Sequence, residues 1–174
     1  MTRLTFREAT SEDVPELAAL HVVTWAATYP HVARPPTLEL RERQWRDAFE
    51  NQDGTWFCYL AVDAAERYER LVGFAKGQDY SSPELPEFAG ELSKIYLLQE
   101  CQRQGWGRQL LGHVVRRFLE RGVHSMLLFA DAQNPSCRFY EALGAEHLLD
   151  SAGQFHGGYG WRNLEKLAEI CPAS

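Results

Sequence analysis

Glu91-Leu-Ser-Lys-Ile-Tyr-Leu-Leu-Gln-Glu-Cys-Gln-Arg-Gln-Gly-Trp-Gly-Arg-Gln-Leu-Leu111 reads as a strand, a glycine-containing turn and the opening of a helix. The order matters because a helix start leaves backbone N–H groups without intrahelical partners, and the aligned peptide dipoles put partial positive charge there. A phosphate can dock against such amides. Gly105 and Gly107 let the main chain curl closely around an anion, and Arg103 and Arg108 flank the turn with full charges. Beyond the turn, Leu110, Leu111, Val114, Val115, Phe118 and Leu119 recur at helical spacing, with Arg108, Gln109, His113, Arg116 and Arg117 on the opposite face. The spacing predicts an amphipathic helix that Gly122 stops. Neither a Gly-Lys-(Ser/Thr) P-loop ending nor a Gly-x-Gly-x-x-Gly dinucleotide turn is present.

At 174 residues, 45% of them hydrophobic and five of them tryptophan, the chain is expected to form one domain, 1–174, around one core. A formal charge of −6 argues against nucleic acid or an anionic membrane as the main partner. The charge is uneven: residues 101–121 hold five arginines against one glutamate, and 79–100 hold five acids against one lysine. A basic donor end beside an acidic acceptor end is one reading, and two solvated surface segments the other. The cysteines Cys58, Cys101, Cys137 and Cys171 have no C-x-x-C spacing, and the N-terminus is not signal-like, so a reduced, cytoplasmic setting is expected. Scattered histidines without ligand spacing argue against a metal.

Along the chain, Leu4 to Arg7 is a strand candidate, and Thr10 or Ser11 can cap a helix with Val14, Leu17, Ala18, His21 and Trp25 on one face. Residues 29–37 are broken by prolines. Thr37 can cap a second helix with Leu38, Arg41 or Glu42, Trp45 and Phe49 inward. Asp53-Gly54 turns into a strand over Thr55 to Val62; a polar turn leads to Leu71 to Lys76, where Gly73 marks a bulge or a crowded position. Gln78 to Gly90 is an irregular loop containing Tyr80, Glu84 and Glu87. Ser125 to Asp131 is a buried strand, Asn134 to Gly144 a helix with a glycine stop, residues 145–150 and 157–163 a closing hairpin, and the last ten residues a helical or frayed tail.

Two of these segments carry a resemblance. Gln102-x-x-Gly105-x-Gly107 resembles the acetyl-CoA signature (Arg/Gln)-x-x-Gly-x-(Gly/Ala) of the GNAT N-acetyltransferases. Asn134-Pro-Ser-Cys-Arg-Phe-Tyr-Glu-Ala-Leu-Gly resembles their late motif of Asn, Phe/Leu-Tyr and Leu-Gly-Phe. The phrase Phe-Arg-Glu-Ala-Thr-Ser-Glu-Asp near the N-terminus is similar to the family's entry into its first helix. The resemblance implies a GNAT-type α/β three-layer fold, a mixed, mostly antiparallel sheet of about seven strands flanked by helices. It also implies acetyl transfer from acetyl-CoA, used as acyl donor without a metal, to a primary amine by direct attack in a ternary complex.

By the same resemblance, the strand at Ile95, Tyr96 and Leu97 splays from its neighbour and holds the pantetheine arm. Gln102, Arg103, Gln104, Gly105, Trp106, Gly107 and Arg108 hold the pyrophosphate. Tyr140 matches the general acid: a phenol titrating near ~10 can protonate a departing thiolate at modest cost. Asn134 matches a residue bonding the cofactor arm, although its spacing to Tyr140 leaves Gln133 as the alternative. Glu91, fourteen residues before Gly105, matches a catalytic glutamate of some members, with a water chain as the other route. Cys101 and Cys137 leave an acyl-cysteine path open, but no histidine stands nearby in sequence. The acceptor pocket is expected around Trp25, Tyr29, His31 and Tyr80. A small-molecule amine is the favoured acceptor, with protein N-termini or lysines, or a non-catalytic acyl-CoA sensor, as alternatives. Neither nucleic acid nor membrane is expected as a partner, and a homodimer is left open.

Overall fold

The computed structural model describes residues 4–64 and 69–173. Seven strands form one sheet in the order β1-β2-β3-β4-β5-β7-β6. They are β1 (Leu4–Glu8), β2 (Trp56–Asp63), β3 (Arg70–Asp79), β4 (Gly90–Leu97), β5 (Met126–Phe129), β6 (Glu146–Leu149) and β7 (Phe155–Trp161). Only the β4–β5 pair is parallel; the other neighbours run antiparallel. The helices are α1 (Val14–Thr28), α2 (Leu38–Glu50), α3 (Trp106–Glu120), α4 (Cys137–Ala142) and α5 (Leu164–Ile170). This is the GNAT-type three-layer arrangement expected above.

α3 covers one face, where its apolar stripe of Leu110, Leu111, Val114, Val115 and Phe118 is fully buried. Room for the packed Phe57 and Phe118 rings comes from strand glycines: a Cβ at Gly90 would collide with Phe118, and one at Gly77 with Phe57 and, less closely, Phe118. Burying such a stripe contributes about 1.5–3 kcal/mol per large side chain, an upper bound against an extended unfolded chain. The opposite face is covered by α1 and α2. Val14, Leu17, Ala18, Leu20 and His21 of α1 are buried, and Trp45 is the buried residue of α2. Thr37 caps α2 by accepting from Leu40 N at 3.2 Å, as its position predicts. Leu38, expected inward, is exposed at the start of α2, and Phe49 is only half-buried.

Several boundaries differ from expectation for local reasons. β3 runs on to Asp79, since Gln78 and Asp79 still pair with Glu91 and Gly90. The Asn134–Gly144 helix shrinks to Cys137–Ala142 because Asn134 Oδ1 accepts from Ser136 N at 2.9 Å, closing a turn before the helix. Gly73 is a crowded position: a Cβ there would meet Leu97 and the Tyr96 carbonyl. The polar turn between β2 and β3 falls mainly on residues 65–68, outside the described residues. The C-terminal segment is no frayed tail. Asn163 caps α5 by accepting from Lys166 N at 2.8 Å, and Leu164, Leu167 and Cys171 are buried.

α5 reaches α3 at Gly112, where a Cβ would meet the Cys171 carbonyl. Gly112→Ala is therefore expected to cost about 1–3 kcal/mol, a fall of roughly 2–12 °C in Tm on thermal denaturation. An unchanged Tm would mean that the C-terminal helix is not held against α3 at this point.

Candidate active site

The parallel pair at the centre of the sheet is short. β4 meets β5 at Gly90↔Met126 and Glu91↔Leu127, and β4 then continues to Leu97 beside β3 alone. The outer edge of residues 92–97 therefore has no strand partner, which is the splay the resemblance implies. Within the β3–β4 ladder the register shifts between Lys76 and Gly77: Lys76 pairs with Lys94 and Gly77 with Leu92, so Ser93 is the extra residue of a bulge. Leu92 keeps to the α3 side with Gly90, while Glu91, Lys94 and Tyr96 face the α1–α2 side.

At the far end of β4 the chain makes the glycine turn. Gly105 (φ 84°) precedes α3 in the left-handed region, and Arg103 (φ 61°) shares that conformation without a glycine's freedom. Gln109 is the first residue here whose N–H finds a backbone acceptor, Gly105 O at 3.2 Å; among the described residues the amides of 103–108 have none. Those amides, the helix dipole and the exposed Arg103 and Arg108 suit a diphosphate. Gln102 departs from expectation. Its N–H is bonded to Gln99 O at 3.2 Å and its side chain to Leu97 O at 3.1 Å, so it ties the turn to β4 and has no free donor on its backbone. Gln104 keeps its amide free while its side chain bonds Glu100 O at 2.9 Å. Gly107 lies against β4 and α4: a Cβ there would stand 3.4 Å from Leu97 and 3.7 Å from Phe139, leaving room for little more. Trp106 and Ile95 are half-buried beside this junction.

Between turn and splay apex lies a cluster of phenols. Asn134 Nδ2 donates to the Tyr29 hydroxyl at 3.2 Å, and the Tyr29 and Tyr96 phenols interact directly. Burial, then Tyr29, pushes Tyr96 up to about 12. Tyr140 is buried among Phe139, Tyr159 and Trp161, and its phenol senses Tyr96, Cys137 and Tyr29; burial first of all drives its pKa well above the ordinary value. It stays a protonated donor at neutral pH. Of the two arm-binding candidates, Asn134 points into this cluster, whereas Gln133 is exposed. Trp25 packs on Tyr29 at 5.1 Å between ring centroids and His31 reaches it edge-on at 6.3 Å. Tyr80 stands apart, beside Phe129 at 6.3 Å and next to Phe88 and Leu85. The Cys137 thiol donates to Asp131 O at 3.6 Å, and burial raises the pKa of Cys101; neither has a described histidine partner.

Glu91 occupies the apex, the last β4 position paired to β5, and accepts from Gln78 Nε2 at 2.8 Å. Three of the other four acids of 79–100 are paired elsewhere, Asp79 to Arg121, Glu87 to Arg162 and Glu100 to Arg70, at 2.8, 3.0 and 3.1 Å, and Glu84 is exposed. Of the two readings of this segment, the solvated surface fits the structure better than an acidic acceptor end. In its place a cavity of about 170 Å³ opens between α1, α2 and the sheet, lined by His21, Arg41, Gln44, Trp45, Ala48, Lys76 and Lys94. The sequence reading missed it. The only signal lay in Lys76 and Lys94 falling on two strands whose pairing was unknown.

Residues 17–145 match the Acetyltransferase (GNAT) family. The uncharacterized N-acetyltransferase YuaI of Bacillus subtilis (strain 168) is 32% identical over 173 residues, 96% of this chain and 98% of that protein. In fold the chain is similar to the PaiA N-acetyltransferase of Thermoplasma acidophilum, solved in complex with coenzyme A (TM-score 0.67, 18% identity, 91% of this chain and 98% of that one). It is similar too to the ribosomal-protein-alanine N-acetyltransferase of Brucella melitensis (TM-score 0.62, 25% identity, 90% and 98%). A split central sheet with an amide-lined turn defines an acyl-CoA-dependent transferase, and the chain belongs to the GNAT acetyltransferase family. Its class of reaction is therefore acetyl transfer from acetyl-CoA to an amine.

Two outcomes check this site. Gly107→Glu wedges bulk against Leu97 and Phe139 and puts negative charge beside the open amides, and Arg108→Glu reverses charge at an exposed position; CoA affinity measured by calorimetry should fall at least about tenfold in both, with the circular dichroism unchanged in the second. Undiminished binding would move the nucleotide elsewhere. Burial first, then Lys76 and Arg41, holds Lys94 down to about 8 against an ordinary 10.5. The fold thus binds that proton more weakly than the unfolded chain, a penalty fully present below pH 8 and fading towards 10.5. Lys94→Met should stabilise the free protein by up to about 3 kcal/mol at pH 7, and the gain should shrink between pH 8 and 10 in paired denaturation curves. A pH-independent gain would exclude the buried charge of Lys94 as its source.

Proposed function

We propose that the protein N-acetylates a small-molecule primary amine by direct attack on acetyl-CoA in a ternary complex. The observation that carries the reading is the alignment of three features along β4: the open amides of 103–108, the unpartnered strand edge over 92–97, and the buried Tyr140 beside them. The diphosphate of the donor docks on the turn, and its arm runs back along β4, where peptide groups at Ile95, Tyr96 and Leu97 hold it and polarise the thioester carbonyl. The acceptor enters from the α1–α2 side, past Trp25, Tyr29 and His31.

A neutral amine attacks the carbonyl carbon, the C–N bond forms, and the C–S bond breaks as the tetrahedral adduct collapses. Tyr140, which burial keeps protonated, donates a hydrogen bond that stabilises the departing thiolate, and the thiolate takes its proton from solvent as CoA leaves. Glu91, at the apex and on the acceptor face, receives the amine's proton directly or through water. Asn134 holds Tyr29 in place and so shapes the channel between the two substrates. A small acceptor is favoured over a protein because the acceptor side is a partly open cavity of only about 170 Å³, walled by α2.

Tyr140→Phe keeps the ring and removes the proton. Turnover is expected to fall about 10²–10⁴-fold while CoA binding is retained. Free CoA released by the wild type should depend on added amine, with the acetylated product seen by mass spectrometry. Wild-type protein that binds acetyl-CoA yet releases no CoA with any amine would make it a sensor, and activity confined to protein N-termini or lysines would replace the small-molecule acceptor.

A further inference from the structure

The proposed reaction leaves one feature without a role, the cluster of cations beneath α2. Lys76 and Lys94 are directly paired across β3 and β4, so both side chains rise from adjacent positions on the same face. Arg41 descends on them from α2, with Gln44 and the His21–Trp45 pair completing the wall. Arg41, Lys76 and Lys94 take part in no ion pair among the described residues. Arg41 spends one nitrogen on Gln44 at 2.9 Å and leaves its Nε buried without a partner. Lys76 lies over the Trp56 ring at 4.7 Å, an apolar seat. Lys94 makes no described hydrogen bond. Glu91 is felt by both lysines as the weakest of the influences on them and forms no ion pair with either; its carboxylate accepts from Gln78.

His21 cannot act as counter-charge. Trp45 Nε1 donates to its Nδ1 at 3.2 Å, which requires the neutral ring, and burial, then Arg41 and Lys94, push its pKa down to about 3. Burial likewise lowers Lys94, Lys76 and Arg41. Three half-buried cations around one cavity repel one another and lose hydration, so the arrangement costs stability unless something negative enters. The cavity of about 170 Å³ has room for such a group. It also adjoins the reaction site: His21 and Tyr96 rings stand 5.5 Å apart, and the Tyr96 phenol lies within electrostatic range of Arg41.

We propose that the acceptor is an anionic amine whose carboxylate is seated between Arg41, Lys94 and Lys76 while its amino group faces the thioester. This rests on the amine-acetylating reading above and names its substrate class. A carboxylate fits the planar fork of Arg41 with a lysine on either side, and the amide of Gln44 can donate to it as well. The same field repels polycationic amines, so di- and polyamines are excluded from this site.

The test compares matched acceptors with the intact protein and acetyl-CoA: glycine, β-alanine and 4-aminobutyrate against glycinamide, β-alaninamide and 4-aminobutyramide, which carry no carboxylate, with phosphoethanolamine, putrescine and spermidine alongside. At least one carboxylate member is expected to exceed its amide by about tenfold or more in kcat/KM, carried mainly by KM. Arg41→Gln and Lys94→Gln should each remove that preference while CoA affinity is kept. Equal or better use of the amides or polyamines would overturn the inference and leave the acetyltransferase reading standing. Preference for phosphoethanolamine would overturn the carboxylate and make the anion a phosphate. If no amine is turned over, the reading of function fails, and thermal protection by glutarate decides the cavity on its own: protection lost in both variants supports a carboxylate site, and no protection of the wild type overturns it.

Discussion

The structure depends on an interruption of backbone hydrogen bonding. β4 and β5 pair for two residues and then part, and everything proposed to happen at the site happens in the opening. A strand edge without a partner normally invites another chain to add to it. Here the edge is recessed between two halves of one sheet, where an extended ligand arm can reach it and a second sheet cannot. The halves stay apart because each is anchored independently: β4 to β3 through its whole length, and β5 to β7 through all four of its residues. The split is thus an outcome of topology, a single parallel junction between two antiparallel units.

Around that opening the two faces of the sheet are treated differently. The α3 side is dry and tightly packed, with glycines cut into the strands to accept Phe118. The α1–α2 side contains a neutral buried histidine, a phenol cluster and cations lacking carboxylate partners. A chain selected only for stability would fill that volume with apolar side chains, which typically stabilise more than buried charge. The contrast ties the two faces to different tasks, one holding the fold and the other receiving a ligand. The bulge at Ser93 joins them: it changes which β4 side chains face α2, and so brings Lys94 and Tyr96 onto the face that Glu91 already occupies.

Much of this was legible in the residue order. The strand, glycine turn and helix around Gly105 signalled themselves through local rules: periodicity for α3, missing Cβ atoms for the turn, and open amides at a helix start. Thr37, Gly122 and Gly144 marked ends that the structure keeps. Tyr140 and Asn134 were placed by resemblance, and the fold brings both to the phenol cluster. Local rules failed where a residue's role depends on a partner far along the chain. Gln102 looked like a phosphate ligand until its side chain was found on Leu97 O. Tyr80 lay in a suggestive loop but packs beside Phe129. The acidic segment 79–100 could be read as an acceptor surface or as solvated chain, and four of its five carboxylates are bonded to Arg70, Arg121, Arg162 and Gln78, three of these more than twenty residues away.

The amino-acid sequence by itself determined the α3 face, the glycine turn and its open amides, because short-range spacing encodes helix faces, turns and amide exposure, and its resemblance to the GNAT family supplied the class of fold and Tyr140 as the proton-donor candidate. Tertiary structure alone decided the sign of charge on the acceptor side. Lys76 and Lys94 stand eighteen positions apart, and Arg41 farther still. Only the β3–β4 register, with its one-residue bulge, and the docking of α2 bring them to one cavity. Charge summed along a chain carries no information about which charges cancel, since cancellation depends on distance in space.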